Sequence, residues 1–154
     1  MFSGRIEAIF VAPSRGAPMR SVPRVRAVPG RGLEGDRYFL GAGSMSRWAG
    51  PKRELTLIAR EDLAAMAADG VALPASESRR NVLVSGVPLN SLVREEFRLG
   101  PIRVRGVRQC QPCKYLARKT GLEVLPVMIG RGGLRVQILD EGVLQVGDSV
   151  LPLG

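Results

Sequence analysis

Cys110 and Cys113 stand at C-x-x-C spacing, the spacing of redox dithiols and of half a zinc site. A four-ligand structural zinc site needs two further thiolates or imidazoles. The chain has two cysteines and no histidine, so a zinc ribbon built within one chain is excluded. A thioredoxin-like redox pair wants a βαβ setting, which the surrounding pattern does not supply. The run from Pro112 to Thr120 predicts a helix whose last turn carries Arg118 and Lys119, with Gly121 in the C′ place. Cys113 then sits at a helix start beside Lys114, and both the helix dipole and the cation favour thiolate over thiol. A thiolate is a soft metal ligand, and one suffices where an organic cofactor already holds the metal. A structural pair of buried thiols is the alternative.

A second set of residues points to an anion. The Gly-rich segments 30–35 and 130–133 can expose backbone N–H groups, and Arg37, Arg80, Arg131 and Arg135 supply guanidinium forks. Together with a reactive cysteine they predict a ligand site. Taken singly, Gly-rich turns are common in barrels and strand-end arginines are usually solvated.

The absence of histidine removes Ser-His-Asp and Cys-His nucleophile pairs, H-E-x-x-H metalloproteases and His-ligated zinc fingers together. No Gly-x-x-x-x-Gly-Lys-Ser/Thr phosphate loop occurs, nor a Gly-x-Gly-x-x-Gly between a strand and a helix, so nucleotide-dependent folds are disfavoured. Lys and Arg number 23 against 14 Asp and Glu, a net charge of +9, and nearly all the basic residues are arginine. Anionic partners are one reading of that charge and a dispersed, solvated surface is the other.

Positioning these residues calls for strands. Arg5 to Ala12 alternates and stops at Pro13, which predicts a first strand. Ser21 to Val28 alternates again, but Pro23 lacks a ladder donor, so this strand is expected at an edge or starting late. Pro29 to Tyr38 reads as a site loop, and residues 39–51 as a mobile flap in which Trp48 is either a packing anchor or a ligand contact. Glu54 to Ile58 predicts a strand, and Arg60 to Asp69 a helix closing at Gly70, with Leu63, Met66 and Ala67 on one face and Glu61 and Asp62 complementing its dipole.

Arg79 and Arg80 lead into a strand that Gly86 and Pro88 stop, and a short helical turn follows at Leu89 to Val93. In Ile102 to Val107 apolar and basic residues alternate, placing Arg103 and Arg105 on one face. Arg131 to Leu139 reads as a strand, Asp140-Glu-Gly142 as a tight turn, and Val143 to Leu151 as its hairpin partner.

The 154 residues at 45% apolar composition fit a single domain over 1–154 with one core and no staple. Frequent short strands with few helices predict a mainly β fold: an antiparallel β-barrel with a few short peripheral helices. Neither a signal peptide nor a membrane span is indicated, so a cytoplasmic location is expected.

The order of these features resembles the MOSC domains, named for the C-terminal domain of molybdenum cofactor sulfurases. Gly32-Leu-Glu-Gly-Asp-Arg37 is similar to the family's G-x-E-G-D-R segment. Arg80-Asn81, Val84-Ser-Gly86 and Leu89-Asn90 are similar to its R-x-N-containing stretch, and Cys110-Gln-Pro-Cys113 matches its C-x-P-C. Arg131-Gly-Gly-Leu-Arg135 and Val146-Gly-Asp148 complete the series.

The resemblance implies a β-barrel that handles the molybdenum cofactor, a pterin with a phosphate and a dithiolene-held metal. It makes Cys113 the reactive cysteine and metal ligand, with Cys110 a second-choice thiol. It puts Asp36 and Asn81 in the surrounding loops and Arg80 or Arg37 on the phosphate, with Gly35, Arg131 and Arg135 as further cofactor contacts. Many relatives carry histidine where this chain has Tyr38, so no proton-transfer role is carried over there. The sulfurases' N-terminal pyridoxal-phosphate domain and the extra β domain of amidoxime-reducing relatives have no counterpart in these 154 residues, so pyridoxal phosphate is not expected in this chain.

Three readings follow. In the first, the chain reduces N-hydroxylated compounds at a Cys113-ligated molybdenum, with electrons from an external reductase. In the second, Cys113 carries a persulfide received from a cysteine desulfurase. The third is a nucleic-acid-binding barrel using Arg103 and Arg105, weakened by an aromatic content of 5%, since single-strand binders need stacking platforms.

Overall fold

The computed structural model describes residues 1–39, 54–111 and 114–153. The chain runs β1 (Gly4–Val11), β2 (Arg20–Val22), β3 (Arg24–Val28), β4 (Gly32–Leu33), β5 (Leu55–Ala59), α1 (Arg60–Ala68), β6 (Val82–Ser85), β7 (Glu96–Leu99), β8 (Ile102–Gln109), α2 (Lys114–Thr120), α3 (Val124–Val127), β9 (Leu134–Ile138), β10 (Gly142–Gln145) and β11 (Ser149–Pro152). Single turns of 3-10 helix at Ala75–Glu77 and Leu89–Leu92 add to the connections.

Seven strands close into a barrel in the order β11, β7, β8, β9, β5, β6, β1, with β1 pairing back to β11 and β2 extending from β1. A second, three-stranded sheet has the order β10, β3, β4. The expectation of a wholly antiparallel barrel needs one correction, because β5 and β6 are parallel. A parallel pair requires a crossover of a dozen or more residues. The α1 helix and the 3-10 turn after it supply one, so a single βαβ unit is set into an otherwise antiparallel barrel.

Alternation explains most of the strands. In β8 Ile102, Val104 and Gly106 are buried while Arg103 and Arg105 are exposed, as a one-sided strand requires. Pro23 divides the predicted strand over 21–28 in two, and its halves join different sheets: β2 pairs β1, whereas β3 pairs β10 and β4. The predicted hairpin after β9 does not form. A turn at Val146–Asp148 splits that stretch into β10, which pairs β3, and β11, which pairs β7 and β1. Gly147 has φ +95° and the Asp148 carboxylate accepts the Gln145 N–H, so the chain reverses direction there and leaves β9 without that partner.

The barrel interior is filled by Ile6, Ile9, Leu57, Val82, Phe97, Val104, Val136 and their neighbours, all fully buried. Each large side chain there contributes roughly 1.5–3 kcal/mol of hydrophobic stabilisation. A smaller cluster outside the barrel joins Ile58 to Met66, Leu116, Val124 and Met128 and seats the three helices. In α1, Met66 is buried and Leu63 packs against that cluster, while Ala67 turns out to solvent. Among the described residues no helix is long and apolar enough to cross a membrane.

Candidate functional site

Ends of several strands meet at one level of the barrel. Val82 at the start of β6 lies beside both Leu57 of β5 and Ile9 of β1, and Leu134 at the start of β9 lies beside Leu57 and beside Gln109, the last residue of β8. The loops leaving these ends carry the predicted site residues.

Asn81 is fully buried one residue before β6. Its side-chain oxygen accepts the Thr56 N–H and the Thr56 hydroxyl, both at 3.1 Å, and its amide nitrogen donates to the Phe10 carbonyl at 3.2 Å. The residue thus ties β6, β5 and β1 together. Asp36 is likewise fully buried. Its carboxylate accepts the Ala12 N–H at 3.0 Å and the Arg37 guanidinium at 3.1 Å. Arg37 donates further to the Arg79 carbonyl at 3.2 Å and lies over the Tyr38 ring. Gly35, with φ +88°, makes the turn that brings Asp36 inward.

Arg79 has φ +64°, the left-handed region that a non-glycine residue adopts rarely. It donates to the Ala17 carbonyl. Arg80 then extends the other way. Its Nε donates to the Gly132 carbonyl at 2.8 Å and its Nη1 to the Ser78 carbonyl at 3.1 Å. The residue is only 8% exposed, yet Nη2 donates to no acceptor among the described residues. A Cβ on Gly132 would lie 2.1 Å from the Cys110 carbonyl oxygen and 3.4 Å from this Nη2. Glycine at 132 therefore lets the Arg80 guanidinium, the β9 lead-in and the Cys110 backbone come together. Gly133 is equally constrained, with φ +97° and the Leu57 carbonyl 2.0 Å from where a Cβ would be.

Cys110 is buried at the end of β8, and its N–H donates to the Gly133 carbonyl at 2.8 Å. Cys113, Pro112, the remainder of the predicted flap (40–51) and Trp48 lie outside the described residues. Gln111 and α2, which begins at Lys114, flank Cys113 in the chain.

The structure thus joins Asp36, Arg37, Arg80, Asn81, Cys110 and Gly132 into one continuous cluster. Arg131 is directed elsewhere, donating to Asp69 at 2.7 Å and to the Val127 carbonyl. Arg135 stands on the outer face of β9 between Thr56 of β5 and Arg108 of β8.

Sequence reasoning passed over three contributors. Thr56 is the one polar residue in the run Leu55 to Ala59, and that isolation was the available signal. Glu54 is buried and accepts the N–H groups of Gly30 and Ile138 at 2.9 and 3.2 Å. Burial pushes its carboxyl above the ordinary range, against the opposing effect of those two donors. The conformation of Arg79 had no sequence signal. Chemically, the cluster offers one buried guanidinium nitrogen, Arg80 Nη2, with no acceptor among the described residues, close to the Cys110 backbone.

Comparison with known proteins bears on the family and the fold. A family model for the MOSC domain matches residues 45–151. Among solved structures, the YuaD protein from Bacillus subtilis superposes with a TM-score of 0.76 at 18% identity, covering 97% of this chain and 97% of that one. YiiM from Geobacillus stearothermophilus gives 0.73 at 19% identity, covering 98% and 75%. YiiM from Escherichia coli gives 0.69 at 17% identity, covering 97% and 70%. At such identities the likeness is one of fold. No curated protein matches the chain.

Proposed function

The chain belongs to the MOSC domain family, and from that premise we propose that it binds the molybdenum cofactor and reduces N-hydroxylated compounds. The observation that carries the reading is the Arg80 guanidinium, almost fully buried, with one nitrogen lacking an acceptor among the described residues. Burying a cationic donor is costly unless an acceptor is supplied. An anionic group of a bound ligand meets that need, and a guanidinium fork suits phosphate.

The residues present fit such a cofactor. Arg80 takes its phosphate, and Arg37, already engaged by Asp36 and the Arg79 carbonyl, orients the backbone that precedes Arg80. Asn81 and Asp36 hold the surrounding loops, with Gly35 and Gly132 allowing close backbone approach. Cys113 is the proposed metal ligand, Cys110 the buried residue that anchors its loop to β9, and Arg135 and Arg131 stand at the periphery. When bound, the cofactor supplies a metal that accepts electrons singly and passes them on in pairs. The overall change is R–NHOH + 2 e⁻ + 2 H⁺ → R–NH₂ + H₂O, with both electrons delivered by an external reductase.

Elemental analysis for molybdenum and pterin fluorescence after oxidation test this on protein purified anaerobically from a host that makes the cofactor. Stoichiometric metal and pterin are expected in the wild type, with the metal lost in a folded Cys113→Ala variant. Folded protein without either signal, carrying a persulfide mass increment on Cys113 after incubation with a cysteine desulfurase, would replace this reading with sulfur transfer.

A further inference from the structure

The outer face of the barrel carries an arginine ladder that the register assembles from three strands. Arg98 of β7 lies directly opposite Arg103 of β8, Arg105 follows on β8, and Arg108 of β8 lies directly opposite Arg135 of β9. The pleat alone would turn Arg108 inward, but the register shifts between Gly106 and Arg108. The extra residue restores Arg108 to the outer face, as β-bulges re-aim side chains. Arg103, Arg105 and Arg108 thus line roughly 15 Å of one strand.

Two directly opposed arginine pairs oppose sheet stability, since like charges facing across a ladder destabilise it. Internal neutralisation covers only part of the charge. Arg103 is held by Asp140 at 3.1 Å, with Glu96 at 3.8 Å. Arg98, Arg105 and Arg108 are exposed and take part in no salt bridge among the described residues.

Resting on the reduction proposed above, we propose that this face docks an acidic protein that delivers the electrons. The ladder is continuous with the candidate site: Arg135 pairs in register with Thr56, the partner of Asn81, and β8 leads directly into Cys110. A partner seated on it lies along the strand that ends at Cys110. The face also favours a protein over a nucleic-acid duplex. Leu151 of β11 lies directly opposite Arg98 and is 37% exposed, with Leu153 close behind at 39%. Exposed leucines among arginines match protein interfaces, where arginine is enriched and the buried core is apolar. Complementary charge of this kind accelerates encounter more than it strengthens the complex.

The test compares two reductants for 6-hydroxylaminopurine as probe substrate. One is a reduced, acidic FMN carrier of the flavodoxin type; the other is reduced methyl viologen, a small cation that needs no docking face. In Arg98→Glu/Arg105→Glu/Arg108→Glu, carrier-driven turnover is expected to fall about tenfold or more and to lose its decline between about 20 and 300 mM salt. Viologen-driven turnover is expected to stay at the wild-type level. The corresponding triple Gln variant, which keeps polar stems on the face, should lie between the two.

Carrier-driven rates and salt dependence equal to wild type in both variants would overturn the proposal. So would arginine-dependent binding of a short DNA duplex with carrier-driven rates unaffected. If viologen drives no turnover in the wild type, the reduction reading itself fails. Calorimetric titration with the carrier then decides docking separately: arginine-dependent binding supports it, and no binding overturns it.

Discussion

Asn81 and Thr56 satisfy each other through backbone and side chain alike. The Asn81 carboxamide oxygen accepts the Thr56 N–H and hydroxyl at 3.1 Å, and the Asn81 N–H meets the Thr56 carbonyl at 3.1 Å and its hydroxyl oxygen at 3.0 Å. This reciprocal clamp joins the two parallel strands where the barrel departs from antiparallel pairing.

Asn81→Ala leaves the Thr56 donors and the Phe10 carbonyl without their partner inside the protein. Each such orphaned group costs about 1–3 kcal/mol, so a loss of about 2–5 kcal/mol is expected in urea denaturation. Asn81→Asp keeps the acceptor for Thr56 but sets an oxygen against the Phe10 carbonyl, and it should be no better than Ala. A double-mutant cycle with Thr56→Val should show strong coupling between the two positions.

Gly132→Ala places a methyl 2.1 Å from the Cys110 carbonyl oxygen. Because the obstacle is backbone, the loop after β8 or the lead-in to β9 must shift. A lowered thermal midpoint is expected together with reduced molybdenum retention. By contrast Gly130→Ala, where a Cβ meets nothing within 4 Å but φ is +74°, should cost only the roughly 1 kcal/mol of left-handed strain and spare retention.

Arg80→Lys keeps the charge but cannot reach the Gly132 and Ser78 carbonyls as a fork. Pterin and molybdenum content should fall well below wild type in the folded variant. Equal content in Arg80→Lys and wild type would mean that a point charge suffices at this position.

Glu54 sets a pH dependence. Its folded carboxyl lies above its ordinary value, chiefly through burial. The native state therefore holds the proton to higher pH than the unfolded chain, and stability falls as pH rises through that window. Glu54→Gln keeps an oxygen acceptor for Gly30 and Ile138 and removes the titration. Its stability relative to wild type should improve as pH rises above the ordinary carboxylate range, measured by denaturation at each pH.

Cys110 is 4% exposed and buried at the β8 end, so native protein should resist alkylation there until it unfolds. Peptide mass spectrometry after a pulse of iodoacetamide, with and without urea, reads this directly.

Local rules carried most of the element boundaries. The alternation in β1 and β8, the helix that stops before Gly70, and the Pro23 interruption are all properties of neighbouring residues, and each was legible from them. The nearness of Arg80 to the Gly-rich segment 130–133 was also readable from residue types in order, and its Nε does donate to the Gly132 carbonyl. What could not be read was which donors are consumed internally. Arg131 is bonded to Asp69, and Arg80 keeps a nitrogen free of described acceptors, although the two look alike in the sequence.

The sequence by itself determined that this is a β-rich domain without histidine chemistry, bearing a cysteine loop and a surplus of arginine. Only the tertiary structure decided that β5 and β6 run parallel, that β10 and β11 part company, and that five arginines from three strands share one face. Strand pairing joins residues far apart in the chain. Their registers depend on loop closure and on a bulge at Gly106, which no local pattern of side chains encodes.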